Sequence, residues 1–224
     1  YGLTSGIHSL DSGQVSRWME RIEAGNLYVN RGITGAIVRR QPFGGWKLSQ
    51  VGPGAKAGGP NYLFGLVDWE PAEGEFDADV PAPTDVSALG VERNVFRYLP
   101  CDDTLIRLTG SGSRGDLDRV VRAAERAGAR VRVSTPEDES DDALHERVRT
   151  GSLHDDGTVT RIRVVGRDTG LRAALAGDVT VAVYEQPVTG SMRLEMLPFL
   201  KEQAVTLTAH RYGDPDPRFV ELEI

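Results

Sequence analysis

Two glycine-containing segments near the start of the chain have the residue types of a small-anion site. Consecutive backbone N–H groups in a glycine-containing turn form a concave nest that binds an anion, and Gly35 followed by Ala36 has this pattern. Phe43 comes shortly after, and Gly44 and Gly45 allow a tight turn beside its ring. The alternative interpretation makes Phe43 a core residue and the glycines ordinary turn residues. The residues alone leave both interpretations open.

A glycine-rich segment at residues 110–115 has the spacing of a dinucleotide-binding fingerprint. Its glycines are Gly110, Gly112 and Gly115. They follow a predicted strand and precede a predicted helix, as the fingerprint requires. However, Asp116 puts negative charge in the first helical turn, where pyrophosphate would bind, and the acidic residue expected at the end of the next strand is missing. We treat the three glycines as weak cofactor-binding candidates and favour a glycine-rich turn capped by aspartates.

The composition excludes several classes of protein. With 39% hydrophobic and 26% charged residues, the chain resembles an ordinary soluble globular protein. Its net charge of −7 argues against a nucleic-acid partner, which requires clustered Lys and Arg. No apolar run approaches the roughly 18 residues of a membrane span, and no signal peptide is visible, so we expect a cytoplasmic protein. One cysteine cannot form an internal disulfide, and no Cys/His cluster has metal-ligand spacing.

The hydrophobic pattern predicts an α/β fold in which strands and helices alternate, giving a mostly parallel sheet with helices on both faces. The predicted helices are 13–24, 116–127, 141–149, 171–176 and 193–203. The predicted strands are 26–30, 62–69, 104–108, 130–134, 161–165, 179–183 and 204–210. Proline and acidic residues concentrate between 68 and 85 and indicate a linker or an extended surface crossing. We therefore divide the chain into 1–70, a linker at 71–93, a Rossmann-like domain at 94–190 and a helix–strand segment at 191–224.

Five motifs occur in the order typical of the C-terminal catalytic region of aldehyde dehydrogenases. They lie at 26–30, 34–38, 41–45, 47–49 and 56–60. Over about residues 1–70 the chain resembles this region, in particular that of the L-glutamate γ-semialdehyde (pyrroline-5-carboxylate) dehydrogenases. It departs from the usual pattern at Gln50, which replaces a glycine, and by an insertion before Lys56. Arg39 and Arg40 are also larger and more charged than the family pattern suggests.

This resemblance implies roles for individual residues. The backbone amides of Gly35 and Ala36 would bind the carboxylate of a semialdehyde substrate, and Phe43 would pack on its methylene chain. The family's cysteine nucleophile and most of its NAD domain would lie upstream of Tyr1, so we expect the isolated chain to be inactive. Its partners would be the remainder of the parent dehydrogenase and, in one assembly compatible with the family, a second copy in a homodimer.

The later part of the chain resembles the C-terminal portion of the longer proline utilization A proteins. The similar segments are 94–98, 197–205 and 210–213. Those proteins join an upstream FAD-dependent proline dehydrogenase to the semialdehyde dehydrogenase and add an aldehyde-dehydrogenase-like domain without known catalytic activity. The resemblance implies the end of an aldehyde dehydrogenase catalytic domain followed by a Rossmann-like domain with a structural role. The alternative is a nucleotide-binding or regulatory module at 94–190.

The remaining ionisable residues give weak signals. No serine, cysteine or acid stands at a persuasive spacing from three of the histidines, which we expect to be ordinary surface or half-buried residues. They are His8, His145 and His154. Cys101 lacks the glycine-rich surroundings of a dehydrogenase nucleophile, so we expect a small buried residue. His210 and Arg211 belong to the terminal motif, and we interpret them as a docking contact.

Overall fold

The computed structural model describes residues 1–71, 74–211 and 214–224. The strands are β1 (Thr4–Ile7), β2 (Asn26–Val29), β3 (Thr84–Asp85), β4 (Glu92–Pro100), β5 (Thr104–Leu108), β6 (Val131–Ser134), β7 (Arg161–Val165), β8 (Ala182–Tyr184), β9 (Leu200–Thr208), β10 (His210–Arg211) and β11 (Asp214–Pro215). The α-helices are α1 (Ser12–Arg21), α2 (Arg114–Arg126), α3 (Asp141–Thr150), α4 (Leu171–Leu175), α5 (Met192–Met196) and α6 (Pro217–Val220). Short 3₁₀ turns lie at Lys47–Ser49, Tyr62–Gly65, Ser152–His154 and Leu197–Phe199. The predicted α/β class is confirmed.

The two larger sheets differ in how the chain builds them. The four-stranded sheet is entirely parallel, with the order β6-β5-β7-β8, and its strands come from one continuous stretch. The five-stranded sheet has the order β1-β2-β9-β4-β3. In it, β9 runs parallel to β2 and antiparallel to β4. This sheet therefore joins the beginning of the chain to its end.

A buried apolar cluster reinforces this joining of the two ends. Val15 of α1 and Leu27 of β2 pack with Val205 and Leu207 of β9, and each of the four has 0% exposure. Burying a side chain of this size contributes about 1.5–3 kcal/mol. The predicted segment boundaries near 70, 93 and 190 remain predictions. What the structure shows is that strands on both sides of the proposed linker share one sheet and one core.

Side-chain caps fix the starts of the three longest helices. Asp11, Ser113 and Ser140 each accept a hydrogen bond from the backbone N–H three residues later, which satisfies an amide that the helix itself leaves free. Gly151 ends α3 with a φ of +79°, a left-handed conformation that glycine adopts without strain. The predicted helices near these caps are confirmed. None of the helices in the described residues is long and apolar enough to cross a membrane.

Three predicted elements were wrong. Residues 62–69 contain a 3₁₀ turn instead of a strand, and their apolar side chains Leu63 and Leu66 are more than 60% exposed. The predicted helix at 193–203 ends early because Pro198 interrupts its hydrogen bonding, and β9 begins already at Leu200. The strand predicted at 179–183 is shifted to Ala182–Tyr184. The strands β1 and β4 were not predicted.

The segment after residue 73 crosses the surface of the molecule in an extended form. Phe76 exchanges backbone hydrogen bonds with Gly190 and Met192, at 2.8 and 2.9 Å. Arg126 of α2 binds Asp79 at 2.8 Å. These contacts hold the acidic stretch against the second half of the chain.

Candidate functional site

The loop that contains Gly35 and Ala36 begins at the carboxyl end of β2. Ligands of parallel sheets bind at this edge, where the loops that follow the strands meet. Asn30 leaves the strand with a φ of +57°. Its side chain exchanges two hydrogen bonds with the backbone of Ser9, at 2.9 and 3.0 Å. These bonds hold the start of the loop against the chain that follows β1.

Gln41 closes the other end of this loop. Its side-chain oxygen accepts a hydrogen bond from the backbone N–H of Ile37 at 3.0 Å. The backbone N–H of Gln41 donates to the carbonyl of Ile37 at 2.8 Å. Gln41 is buried and donates to the side chain of Asn94, which lies on β4. The loop is thus fixed at both ends by side-chain amides, of which that of Gln41 is buried.

Between these fixed ends, Gly35 and Ala36 are exposed. Gly35 has a φ of +83°, and no heavy atom lies within 4 Å of the position of a Cβ. Among the described residues, neither N–H group donates a hydrogen bond, although the next one, that of Ile37, does. Two consecutive free donors, one of them on a left-handed glycine, are what an anion-binding nest requires. The assignment of a carboxylate to them remains a prediction.

Phe43 lies next to this loop and is not part of the core formed by the described residues. Its side chain is 39% exposed. Its backbone exchanges two hydrogen bonds with Ala57, at 3.0 and 2.9 Å. The ring is therefore held by its backbone while its face stays accessible, as contact with a substrate chain would require.

A buried polar cluster lies behind Phe43. Asn26, at the start of β2, donates from Nδ2 to the carbonyl of Pro42 at 3.0 Å and accepts at Oδ1 from the N–H of Gly44 at 3.2 Å. Lys56 donates from Nζ to the same Oδ1 at 2.7 Å and to the carbonyl of Gly44 at 2.5 Å. Burial lowers the pKa of Lys56 to about 7, although the charge of Glu202 acts in the opposite direction. Sequence reasoning placed Lys56 in a motif but gave it no role.

The glycine-rich turn at residues 110–115 is occupied by contacts within the chain. Ser113 accepts a hydrogen bond from the N–H of Asp116 at 3.0 Å and donates to its carboxylate at 2.7 Å. Ser111 accepts from the N–H of Arg167 at 2.8 Å. A pyrophosphate would have to displace the Ser113 cap and face the Asp116 carboxylate, so these residues do not fit the phosphates of NAD.

The middle glycine of the turn has a packing role. A Cβ on Gly112 would lie 2.4 Å from the carbonyl oxygen of Val165 and 2.7 Å from Leu108 Cδ1. We expect Gly112→Ala to lower the free energy of unfolding by at least about 1 kcal/mol because a strand backbone must move. Gly110→Ala is the matched control, since no heavy atom lies within 4 Å of its Cβ position. Equal urea-unfolding midpoints for the two variants would contradict this packing role.

A crevice of about 830 Å³ lies beside this turn, at the carboxyl ends of β5, β7 and β8. The ionisable side chains that line it have both signs: Asp116, Arg119, Arg167, Asp168 and Glu185. Asp168 accepts a hydrogen bond from His145 Nε2 at 2.9 Å. No spacing in the sequence indicated this pair, because Asp168 lies 23 residues further along the chain, after β7. His145 was expected to be a surface or half-buried residue, and it is buried.

The other ionisable candidates add no catalytic group. Cys101 is buried, as predicted, with 1% exposure, and burial raises the pKa of its thiol, which disfavours a nucleophilic thiolate. His8 and His154 are exposed. No group of three or more His, Cys, Asp or Glu side chains in the described part of the chain is placed to bind a metal ion. The side chains of His210 and Arg211 lie outside the described residues, so their docking role remains a prediction.

Known proteins are similar to the first part of this chain in sequence. Residues 1–68 match the model of the aldehyde dehydrogenase family. This part of the chain is similar to that family. It is 54% identical over 71 residues to the bifunctional protein PutA of Rhizobium meliloti. That alignment covers 32% of this chain and 6% of the relative. It is also 51% identical over 64 residues to the 1-pyrroline-5-carboxylate dehydrogenase of Bacillus subtilis. This second alignment covers 29% of this chain and 12% of the relative.

The later part of the chain also has a structural counterpart. The structure of proline utilization A (PutA) from Corynebacterium freiburgense matches 95% of this chain with a TM-score of 0.71 and 36% sequence identity. The chain covers 23% of that PutA chain. The predicted resemblance to these proteins is confirmed, and the chain spans only a small part of the length of its relatives.

Proposed function

We propose that this chain forms the C-terminal part of a bifunctional PutA-like protein that oxidises L-glutamate γ-semialdehyde to glutamate with NAD. The observation that carries this proposal is the structural match over 95% of the chain, which includes both the aldehyde dehydrogenase segment and the domain that follows it. In the longer protein, an FAD-dependent proline dehydrogenase domain would supply the semialdehyde. The chain itself would bind the substrate and complete the fold.

Substrate binding would use the loop between β2 and Gln41. The free N–H groups of Gly35 and Ala36 would bind the substrate carboxylate, and the exposed ring of Phe43 would contact its methylene groups. Hydrogen bonds to a charged group contribute about 1.5–3 kcal/mol each. Holding the far end of the substrate in this way fixes its aldehyde for attack by a group outside this chain.

The nucleophile and the cofactor site would come from the rest of the protein. Cys101 is buried with a raised thiol pKa, and the 110–115 turn does not fit pyrophosphate. Bound elsewhere, NAD would accept the hydride released from the aldehyde carbon. We expect the isolated chain to show no semialdehyde oxidation in a spectrophotometric NADH assay. Turnover that Cys101→Ala abolished would contradict the proposal.

An exposed apolar surface offers a docking place for the rest of the dehydrogenase. Its side chains are between 47% and 72% exposed: Ile33, Ile37, Val38, Leu48, Val51, Leu63, Leu66 and Val67. Exposed apolar side chains that form a patch mark a protein contact. β1 is an edge strand of its sheet, so its outer hydrogen-bonding groups are open to a further strand. We propose that the remainder of the catalytic domain covers both features.

The carboxylate role of Gly35 can be tested in the longer protein. Proline fixes φ near −65° and has no N–H donor, whereas Gly35 has a φ of +83°. We expect Gly35→Pro to reduce kcat/KM for the semialdehyde at least about tenfold, the effect of one charged hydrogen bond. An aldehyde without a carboxylate should lose far less.

Gly35→Ala is the matched control for this experiment, because it keeps the N–H donor and strains only the backbone. We expect its loss to be clearly smaller than that of Gly35→Pro. Equal losses for the two aldehydes would show damage to the loop as a whole and would contradict the anion-binding role.

The alternative function is a nucleotide-binding or regulatory module at residues 94–190. The crevice at the carboxyl ends of the parallel strands favours it, because ligands of such sheets bind there. The carboxylates of Asp116, Asp168 and Glu185 disfavour a phosphate ligand in that crevice. Calorimetric titration of the chain with NAD separates the two functions, since binding with micromolar affinity would favour the alternative.

A further inference from the structure

In addition to the backbone bonds between Phe43 and Ala57, one buried side chain holds the turn that carries Phe43. Asn26 binds the residue before Phe43 through the carbonyl of Pro42, and the residue after it through the N–H of Gly44. Asn26 is 1% exposed. The position of Phe43 therefore depends on the orientation of the Asn26 amide.

Lys56 fixes that orientation. Its ammonium group donates to Asn26 Oδ1 at 2.7 Å and to the carbonyl of Gly44 at 2.5 Å. With Oδ1 held by two donors, the Asn26 Nδ2 group points to Pro42. Lys56 is only 3% exposed, and a charged lysine is rarely buried unless its surroundings hold it. Its stem also lies against Gly44, where a Cβ would be 3.3 Å from Lys56 Cγ.

Glu202 holds Lys56 from the other side. This residue lies on β9, 146 positions later in the chain, and its Oε2 accepts the backbone N–H of Lys56 at 2.9 Å. Its Oε1 accepts from Asn61 Nδ2 at 2.6 Å, and its backbone carbonyl accepts from Trp46 Nε1 at 2.9 Å. Glu202 thus binds three separate points of the segment 46–61.

We infer that Lys56 and Glu202 are positioning residues that hold the Phe43 turn in its substrate-binding geometry, so that strand β9 sets the position of the ring that contacts the substrate's methylene chain. A continuous series of contacts carries the effect from Glu202 to Lys56, then to Asn26 and Gly44. This inference rests on the proposed function for the role of Phe43. The physical link from β9 to the turn does not depend on it.

Amide hydrogen exchange on the 224-residue chain tests the physical link. Lys56→Met keeps an unbranched apolar stem and removes the donors, and Glu202→Gln keeps the size and removes one acceptor. We expect the Gly44 amide to exchange at least about tenfold faster in each variant, because its bond to Asn26 loses support. The Ile162 amide, in the other sheet, should not change. Glu125→Gln, on the exposed face of α2, is the control substitution.

Two results would overturn the inference. One is an unchanged Gly44 exchange rate in both variants. The other is an equal acceleration at Gly44 and Ile162, because that would show only a general loss of stability. Since the two variants alter different side chains of the cluster, Glu202→Gln decides the matter if Lys56→Met does not fold.

Kinetics in the longer protein test the consequence for substrate binding. We expect Glu202→Gln to raise KM for the semialdehyde about three- to tenfold and to leave kcat within twofold, because the aldehyde is positioned less well but attacked by the same groups. A short aldehyde that does not reach Phe43 should keep its KM. A loss confined to kcat would overturn the positioning role. Absence of any dehydrogenase activity in the unaltered protein would instead reject the proposed function, and the exchange experiment would still decide the link.

Discussion

Glu195→Gln is expected to lower the free energy of unfolding by about 3–5 kcal/mol, the usual cost of breaking a buried ion pair. Arg163 and Glu195 are 0% and 2% exposed, and their side chains meet at 2.9 Å. The second oxygen of Glu195 accepts from both the N–H and the hydroxyl of Thr189, at 2.7 and 3.0 Å. The substitution leaves the Arg163 charge buried without its counterion. Urea unfolding at neutral pH measures the loss.

An exposed ion pair provides the matched control. Arg172 and Glu185 meet at 2.7 Å, but their side chains are 67% and 30% exposed, and such pairs contribute about 0–1 kcal/mol. We therefore expect Glu185→Gln to change stability by less than about 1 kcal/mol. Replacing both buried partners, as in Arg163→Met with Glu195→Met, should recover much of the loss because no lone charge remains. A loss below about 1 kcal/mol for Glu195→Gln would contradict the expected effect.

This buried pair also shows why part of the fold could not be predicted from the sequence. Short segments rich in β-branched and other apolar residues predicted β5 and β7 well. Arg163 stands in the middle of β7 and is fully buried. Its partner comes from α5, after another strand, so no spacing pattern indicated the pair. Long-range polar contacts of this kind depend on the finished fold.

The five-stranded sheet was harder to predict for a related reason. Its central strand β9 lies between β2 and β4, which are far apart in sequence. Local patterns identified β2, but the register between Ala204 and Asn26 depends on the whole chain. The short β1 contains Gly6 and Ser5, which have low strand propensity, and it forms because it pairs with β2.

The candidate site divides in the same way. Gly35, Ala36 and Phe43 were predicted because their residue types and order follow a family pattern, and they occupy neighbouring turns. The cluster behind them was missed because Asn26, Lys56 and Glu202 meet only when β9 enters the sheet. Buried polar residues that hold binding residues in place form no recognisable spacing pattern in a single sequence. Their chemistry becomes visible only when the structure shows how deeply they are buried.

The stability of the chain should rise with pH above neutrality because of Lys56. Burial lowers its pKa from 10.5 to about 7, so between these values the unfolded state binds a proton that the folded state does not. Stability increases with pH wherever the unfolded state binds more protons. The neutral amine still has two hydrogens for Asn26 and Gly44, so deprotonation does not cost these bonds. Between pH 7 and 9 we expect Lys56 to add about 2 kcal/mol to the free energy of unfolding.

The difference between the unaltered chain and Lys56→Met isolates this contribution from that of other titrating groups. Denaturant unfolding at pH 7, 8 and 9 should give a rising free energy for the unaltered chain and a flatter dependence for Lys56→Met. Lys47→Met, at a lysine whose side chain is 47% exposed, should keep the steeper dependence. The chain has only three lysines, Lys47, Lys56 and Lys201, so carbon-13 labelling of lysine gives one signal for each and measures the pKa directly. Parallel pH dependences for the unaltered chain and Lys56→Met, together with a Lys56 signal that does not titrate near pH 7, would show that the ammonium group is stabilised in its buried position.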